Sequence, residues 1–144
     1  MTEDAETRTA PSSTAPRGAA PDDETLALAQ TLFQAAREGE TALLRAYLDA
    51  GAPATLTNAA GDSLLMLAAY HGHAETVQLL LKHGADANSA NDRGQTPLAG
   101  AAFKGYTDVA RVLLDAGADP DAGSPSARAA AQMFARQEIT DLLG

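Results

Sequence analysis

The sequence predicts an all-α fold, a solenoid of stacked helix–turn–helix units with protruding turns, and three observations carry that expectation. Glycines recur at one fixed step of 33, as Gly39, Gly72 and Gly105 and again as Gly51, Gly84 and Gly117. Leu48, Leu81 and Leu114 keep the same step, as do the pairs Ala35–Ala36, Ala68–Ala69 and Ala101–Ala102. Aromatics make up only 4% of the chain and tryptophan is absent, a balance suited to short, closely packed helices rather than to sheets. Self-similarity at one fixed period marks a repeat architecture, in which each unit buries its apolar face only against its neighbours.

Taken in order, residues 1–21 form a separate compositional zone of Thr, Ser, Ala, Pro and Gly, with Pro11, Pro16 and Pro21 spread through it. No periodicity survives there, and a disordered tail is expected. A repeat domain is expected over residues 22–144. Asp22, Asp23 or Glu24 can cap its first helix, whose apolar face reads Leu26, Ala29, Leu32 and Phe33. Copies of the unit fall at about 25–57, 58–90 and 91–123, with a degenerate C-terminal cap at 124–144.

The third copy shows the design most plainly. Thr96 and Pro97 open a helix, because Thr caps and Pro is tolerated in the first turn. Leu98, Ala101 and Ala102 give it an apolar face, and Gly105 ends it in the left-handed conformation that other residues resist. A second helix is predicted from Thr107 to about Leu114, burying Val109, Ala110, Val112, Leu113 and Leu114, and Gly117 ends it. By the same period, Leu81 is assigned to the core of the second copy. Carried into the last copy, the fixed step puts Ala127 and Glu138 at glycine positions and Ala135 at a small-residue position. A divergent end copy suits a cap whose outer face meets water.

The run Asp92-Arg93-Gly94-Gln95-Thr96-Pro97-Leu98, the alanine pair, the mid-unit glycine, the Leu-Leu pair and Gly-Ala-Asp together resemble the ankyrin repeat, and in particular short bacterial ankyrin-repeat proteins. The likeness spans roughly residues 25–144. The family's Thr-Pro-Leu-His box reads Ser63-Leu64-Leu65-Met66 in one copy and Thr96-Pro97-Leu98-Ala99 in the other. Both lack the histidine that ties neighbouring turns in the family, so cohesion between units is expected to lean on apolar burial more than on polar tethers.

Composition narrows the chemistry. Cysteine is absent, which removes disulfides, thiolate nucleophiles and Cys-ligated zinc. The net charge of −9 argues against a nucleic-acid partner, which needs a surface of Lys and Arg to neutralise phosphates. No apolar run approaches the roughly 18 residues of a membrane span, and no secretory signal or twin-arginine pair is evident. A cytoplasmic monomer is expected.

Gly61-Asp62-Ser63-Leu64 reads like the nucleophile signature of a serine esterase family. The Asp-x-x-His partner that such a serine needs is missing, and Ser63 sits in register with the helix-opening Thr96, so a capping role is expected. His71-Gly72-His73 has the spacing of a metal-binding pair, with His83 nearby, but lacks a clear fourth ligand; a turn role is expected for His73. Gly-Ala-Asp at 84–86 and 117–119 lacks the alternating oxygens of a calcium loop. No phosphate-cradling glycine loop is present either, so no cofactor and no catalysis are expected.

The resemblance implies binding of another protein through turn tips and inner helices, which form a concave groove. Transferred residue by residue, the candidates are Arg37, Glu38 and Thr57 from the first copy, and Ala59, Ala60, Asp62, Tyr70, His71 and Ala90 from the second. The third gives Asp92, Arg93, Gln95, Phe103 and Lys104, and the last Arg128, Arg136 and Gln137. Tyr70 and Phe103 occupy the same position of successive copies, just before the turn, and aromatics are favoured anchors, although a core role fits them too. Arg37, Arg93, Lys104, Arg128 and Arg136 outnumber Glu38, Asp62 and Asp92, leaving the groove at +2 in a chain of −9. An aromatic centre with a basic rim suits an acidic protein segment. The rival expectations are hydrolase activity at Ser63 and self-association of the exposed array.

Overall fold

A short helix needs its ends satisfied before it can pack, and the first turns show how this chain does so. In the computed structural model, which describes residues 23–144, the Ser63, Thr96 and Ser126 hydroxyls accept from the amides of Met66, Ala99 and Ala129 at 3.0, 3.1 and 3.1 Å. Each is a side-chain N-cap on an inner helix. Ser63 thus caps, as its register implies. The tail expected over residues 1–21 and the capping option at Asp22 lie outside the described residues.

Eight helices follow in pairs among the described residues: α1 (Asp23–Glu38) and α2 (Thr41–Asp49), α3 (Leu64–Tyr70) and α4 (Ala74–Lys82), α5 (Pro97–Lys104) and α6 (Thr107–Asp115), then α7 (Ala127–Met133) and α8 (Gln137–Leu143). The odd-numbered helices stack as an inner layer and the even-numbered ones as an outer layer. The core lies between the layers. Leu32, Leu44, Leu65, Leu80, Leu98 and Leu113 are among its largest enclosed side chains, and the alanine pairs 35–36, 68–69 and 101–102 let the inner helices approach closely.

Four core assignments change. Leu81 is only partly buried, and its neighbour Leu80 is the enclosed side chain. Val112 and Leu114 are likewise partly buried, while Val109, Ala110 and Leu113 are enclosed. Leu26, in the first turn of α1, is 46% exposed rather than part of the buried face.

The last unit also runs in a different register. Ser126 caps α7 as Thr96 caps α5, and Arg136 N→Ala131 O repeats Tyr106 N→Ala101 O. Thr96 to Ser126 and Tyr106 to Arg136 are both steps of 30 rather than 33, because the connection before α7 is shorter by that difference. Ala135 is not the small packing residue that a step of 33 assigns; it takes the place of Gly105, with φ of 56°.

Polar tethers between units are more numerous than the missing histidine box suggests. His73 Nε2 donates to the Arg37 carbonyl at 2.7 Å, and Arg136 Nη2 donates to the Phe103 carbonyl at 2.9 Å. Asn91 Nδ2 donates to Asp62 at 2.7 Å, Asp92 N to the Ala60 carbonyl at 3.1 Å, and Ser124 N to the Gly94 carbonyl at 3.1 Å. The buried Thr76 hydroxyl pairs with Thr41 at 2.7 Å. Cohesion here combines apolar burial with a polar ladder.

Candidate partner-binding groove

Two successive turn tips are each held by an asparagine at the base. Asn91 is buried, and its Oδ1 accepts from the amides of Arg93 and Gln95, both at 3.0 Å, while its Nδ2 also donates to Gln95 Oε1 at 2.8 Å. Asn58 does the same one unit earlier, accepting from Ala60 and Asp62 at 2.9 and 3.0 Å. These residues fix the backbone that aims the neighbouring side chains of each tip. Asn58 and Asn91 stand one full repeat apart, a recurrence visible in the sequence and not used there.

The tips and the inner helices face one another across a groove. Asp62, Tyr70, His71, Arg93 and Gln95, all expected there, line one cavity of about 230 Å³ with Met66 and Leu67. A larger cavity of about 560 Å³ shares Met66, Tyr70 and Gln95 with it and extends over Ala99, Gly100 and Phe103 to Met133 and Phe134. A third, of about 600 Å³, lies at the other end, where Arg37, Thr57 and Ala59 meet Phe33.

An aromatic row runs along the inner layer. Tyr70 and Phe103 stack with rings 9° apart and centroids separated by 6.4 Å. Phe134 meets Phe103 edge-on at 4.8 Å. Phe103 and Phe134 are 40% and 42% exposed, and Met133 is 65% exposed, so the row is open to solvent rather than sealed in the core. Lys104 Nζ lies 5.1 Å from the centre of the Tyr70 ring, within cation–π range.

His71 follows Tyr70 and meets its ring edge-on at 5.8 Å. Loss of water on that side holds the imidazole below its usual pKa, and the charges of His73, Lys104 and Arg37 add to the effect. The potential at the end of α3 is thus positive in a chain that is acidic overall.

Other expected residues have different surroundings. Arg136 opens α8, lies against Gly105 and bonds the Phe103 carbonyl, so it braces the stack instead of reaching into the groove. Arg128 pairs with Asp121 at 2.9 Å, which lowers the carboxyl's pKa and raises the guanidinium's. Asp92 is exposed at a tip beside Gly61. Glu38 is exposed at the end of α1, where a hydrogen bond from Gln34 lowers its pKa. Ala60, Ala90 and Gln137 line none of these three cavities. Met133 and Phe134 escape sequence reasoning because the fixed step of 33 places them off the aromatic column; in the true register Met133 follows Arg37, Tyr70 and Phe103.

No group of three or more His, Asp or Glu side chains that could hold a metal occurs among the described residues. No helix among them is long and apolar enough to cross a membrane. A search of curated proteins returns no match. The family profile described as ankyrin repeats (3 copies) matches residues 32–124. Proteins built from such repeats generally mediate protein–protein interaction and are typically non-enzymatic. With paired helices stacked in two layers, turn tips held by asparagines and a family match over most of its length, this chain belongs to the ankyrin-repeat family.

Proposed function

We propose that the chain is an adaptor, inhibitor or accessory subunit that holds one protein partner in this groove and catalyses no reaction. The observation that carries the reading is the solvent-open row of Tyr70, Phe103, Met133 and Phe134 along the inner layer. Exposed aromatic and methionine side chains grouped in a concavity cost solvation in the free protein and are typical of binding anchors. Arg93 and Lys104 beside them favour an acidic segment of the partner, and the overall charge of −9 repels such a segment elsewhere.

Affinity capture from the native host's lysate tests this reading. Wild type is run beside a folded variant carrying Tyr70→Ala, Phe103→Ala and Lys104→Glu. A protein retained by wild type and lost by the variant is the expected result. Equal retention of the same proteins by both removes the groove reading and turns attention to the outer helices.

A further inference from the structure

Aligned units show that the groove is not uniform. Where α3 carries Met66 and Leu67, α5 carries Ala99 and Gly100 at the equivalent positions, and α7 carries Ala129 and Ala130. The inner layer is thus trimmed of side-chain volume over its last two units, while the aromatic row beside it is kept. A Cβ on Gly100 would lie 3.2 Å from the Tyr70 ring and 3.5 Å from the Met66 methyl, so the bare backbone there is what leaves the floor open. Glycine inside a helix sacrifices about 1 kcal/mol relative to alanine, so the open floor is gained against helix stability.

The resulting cavity is walled by Met66, Tyr70, Phe103, Met133 and Phe134, with Gln95, Ser124 and Pro125 at its mouth. No charged side chain lines it. Two of its walls are methionines, whose unbranched, polarisable side chains adapt to differing apolar shapes. Charge enters at the rim. Arg93 lines the smaller cavity that shares Met66, Tyr70 and Gln95, where the one carboxylate, Asp62, accepts from Asn91, and Lys104 lies over the Tyr70 ring. Desolvation is the main cause of the depressed pKa of His71, and the charges of His73, Lys104 and Arg37 add to it in the same direction.

From these features we infer that the last two units form an anchor pocket for one bulky apolar side chain, aromatic, leucine or methionine, presented by an acidic protein segment that runs toward Arg93 and Lys104. This rests on the groove reading above and adds the chemistry of the partner: an apolar plug followed by carboxylates, rather than an acidic stretch alone. The plug is desolvated among Phe103, Phe134 and Met133, and the carboxylates meet the rim cations. Salt therefore weakens the second contact and not the first.

The test is a display selection of random dodecapeptides against the full chain, with enriched peptides titrated into protein carrying ¹³C-methyl methionine. Met66 and Met133 line the pocket and report on it. Enriched peptides are expected to pair a large apolar residue with nearby Asp or Glu, and to shift the methyl signals of Met66 and Met133. Gly100→Leu, which restores the residue found at Leu67, and Met133→Glu, on an exposed side chain, should each weaken binding about tenfold or more. Arg93→Gln with Lys104→Gln should weaken it about tenfold and flatten its salt dependence.

Failure to enrich any peptide, enrichment of basic peptides, or binding that leaves Met66 and Met133 unmoved would overturn the pocket. Full binding to both Gly100→Leu and Met133→Glu would do the same. A lysate protein lost by the Tyr70, Phe103 and Lys104 variant yet retained by Gly100→Leu and Met133→Glu would leave the groove reading standing while removing the anchor pocket.

Discussion

His73 stands over Gly39: a Cβ on that glycine would fall 2.5 Å from His73 Nδ1, and Nε2 of the same ring donates to the Arg37 carbonyl at 2.7 Å. The contact recurs along the stack. Tyr106 lies over Gly72, where a Cβ would be 3.0 Å from the ring, and Arg136 lies against Gly105 at 3.1 Å. The residue that opens α4, α6 or α8 leans on the glycine that closes the inner helix one unit earlier. The glycine ladder seen in the sequence therefore meets two demands, a positive φ and a surface bare enough for the next unit to touch.

Gly39→Ala should accordingly be more damaging than Gly84→Ala. Both glycines have positive φ, 74° and 97°, but nothing lies within 4 Å of a Cβ at Gly84. Each substitution meets left-handed strain of about 1–2 kcal/mol. At Gly39 the imidazole must also move, and its bond to Arg37 O is weakened, adding about 1 kcal/mol. Urea unfolding of the two variants checks this; equal midpoints would show that the packed histidine contributes nothing.

Leu80→Ala should cost about 2–5 kcal/mol, the usual range for emptying an enclosed leucine site. Leu80 has 0% of its surface exposed. Leu81→Ala should cost clearly less, because Leu81 only borders the core. Thermal melts of both proteins, read by circular dichroism, decide the order. The reverse order would place Leu81 rather than Leu80 between the layers.

Local chemistry explains what the sequence discloses and what it hides. Ser63 and Thr96 are legible as caps because an N-cap needs only its own hydroxyl and an amide in the next turn. The glycine ladder is legible because its first demand, a positive φ, is local and singles out one residue type. Leu80 and Leu81 are harder to separate, since a recurring leucine does not say which side of a short helix faces inward. The last unit misleads for a different reason. A fixed period cannot register a shortened connection, and only Ser126, a third capping hydroxyl, marks the true start of α7. With that register lost, Met133 and Phe134 drop out of the groove and Arg136 is drawn into it.

Asn91 is where the turn tips should be most vulnerable. One side chain accepts two amides and donates to both Asp62 and Gln95. Asn91→Ala should destabilise the fold by about 1–3 kcal/mol, the range for orphaned buried polar groups. Amide exchange should speed up at Arg93 and Gln95 before it does at the α5 helix. Asn91→Asp keeps the acceptor but loses the donor and places a second carboxylate beside Asp62, so it should protect those amides only in part. Unchanged exchange in the alanine variant would mean that the tips hold themselves.

His71 gives a pH test of the field at the end of α3. Its pKa lies below the ordinary histidine value of 6.5, first through partial desolvation, then through the charges of His73, Lys104 and Arg37. The folded protein thus binds fewer protons at this site than the unfolded chain between the two pKa values. The sign follows: stability attributable to His71 is complete above the unfolded value and declines as pH falls through it toward the folded one. Lys104→Gln removes one of these charges and should move the His71 midpoint upward, without restoring it fully, because desolvation, the largest cause, remains. Imidazole C–H resonances followed by NMR across this range supply the measurement. A midpoint that Lys104→Gln leaves in place would mean that desolvation alone sets it, and that the rim is less positive than the groove reading requires.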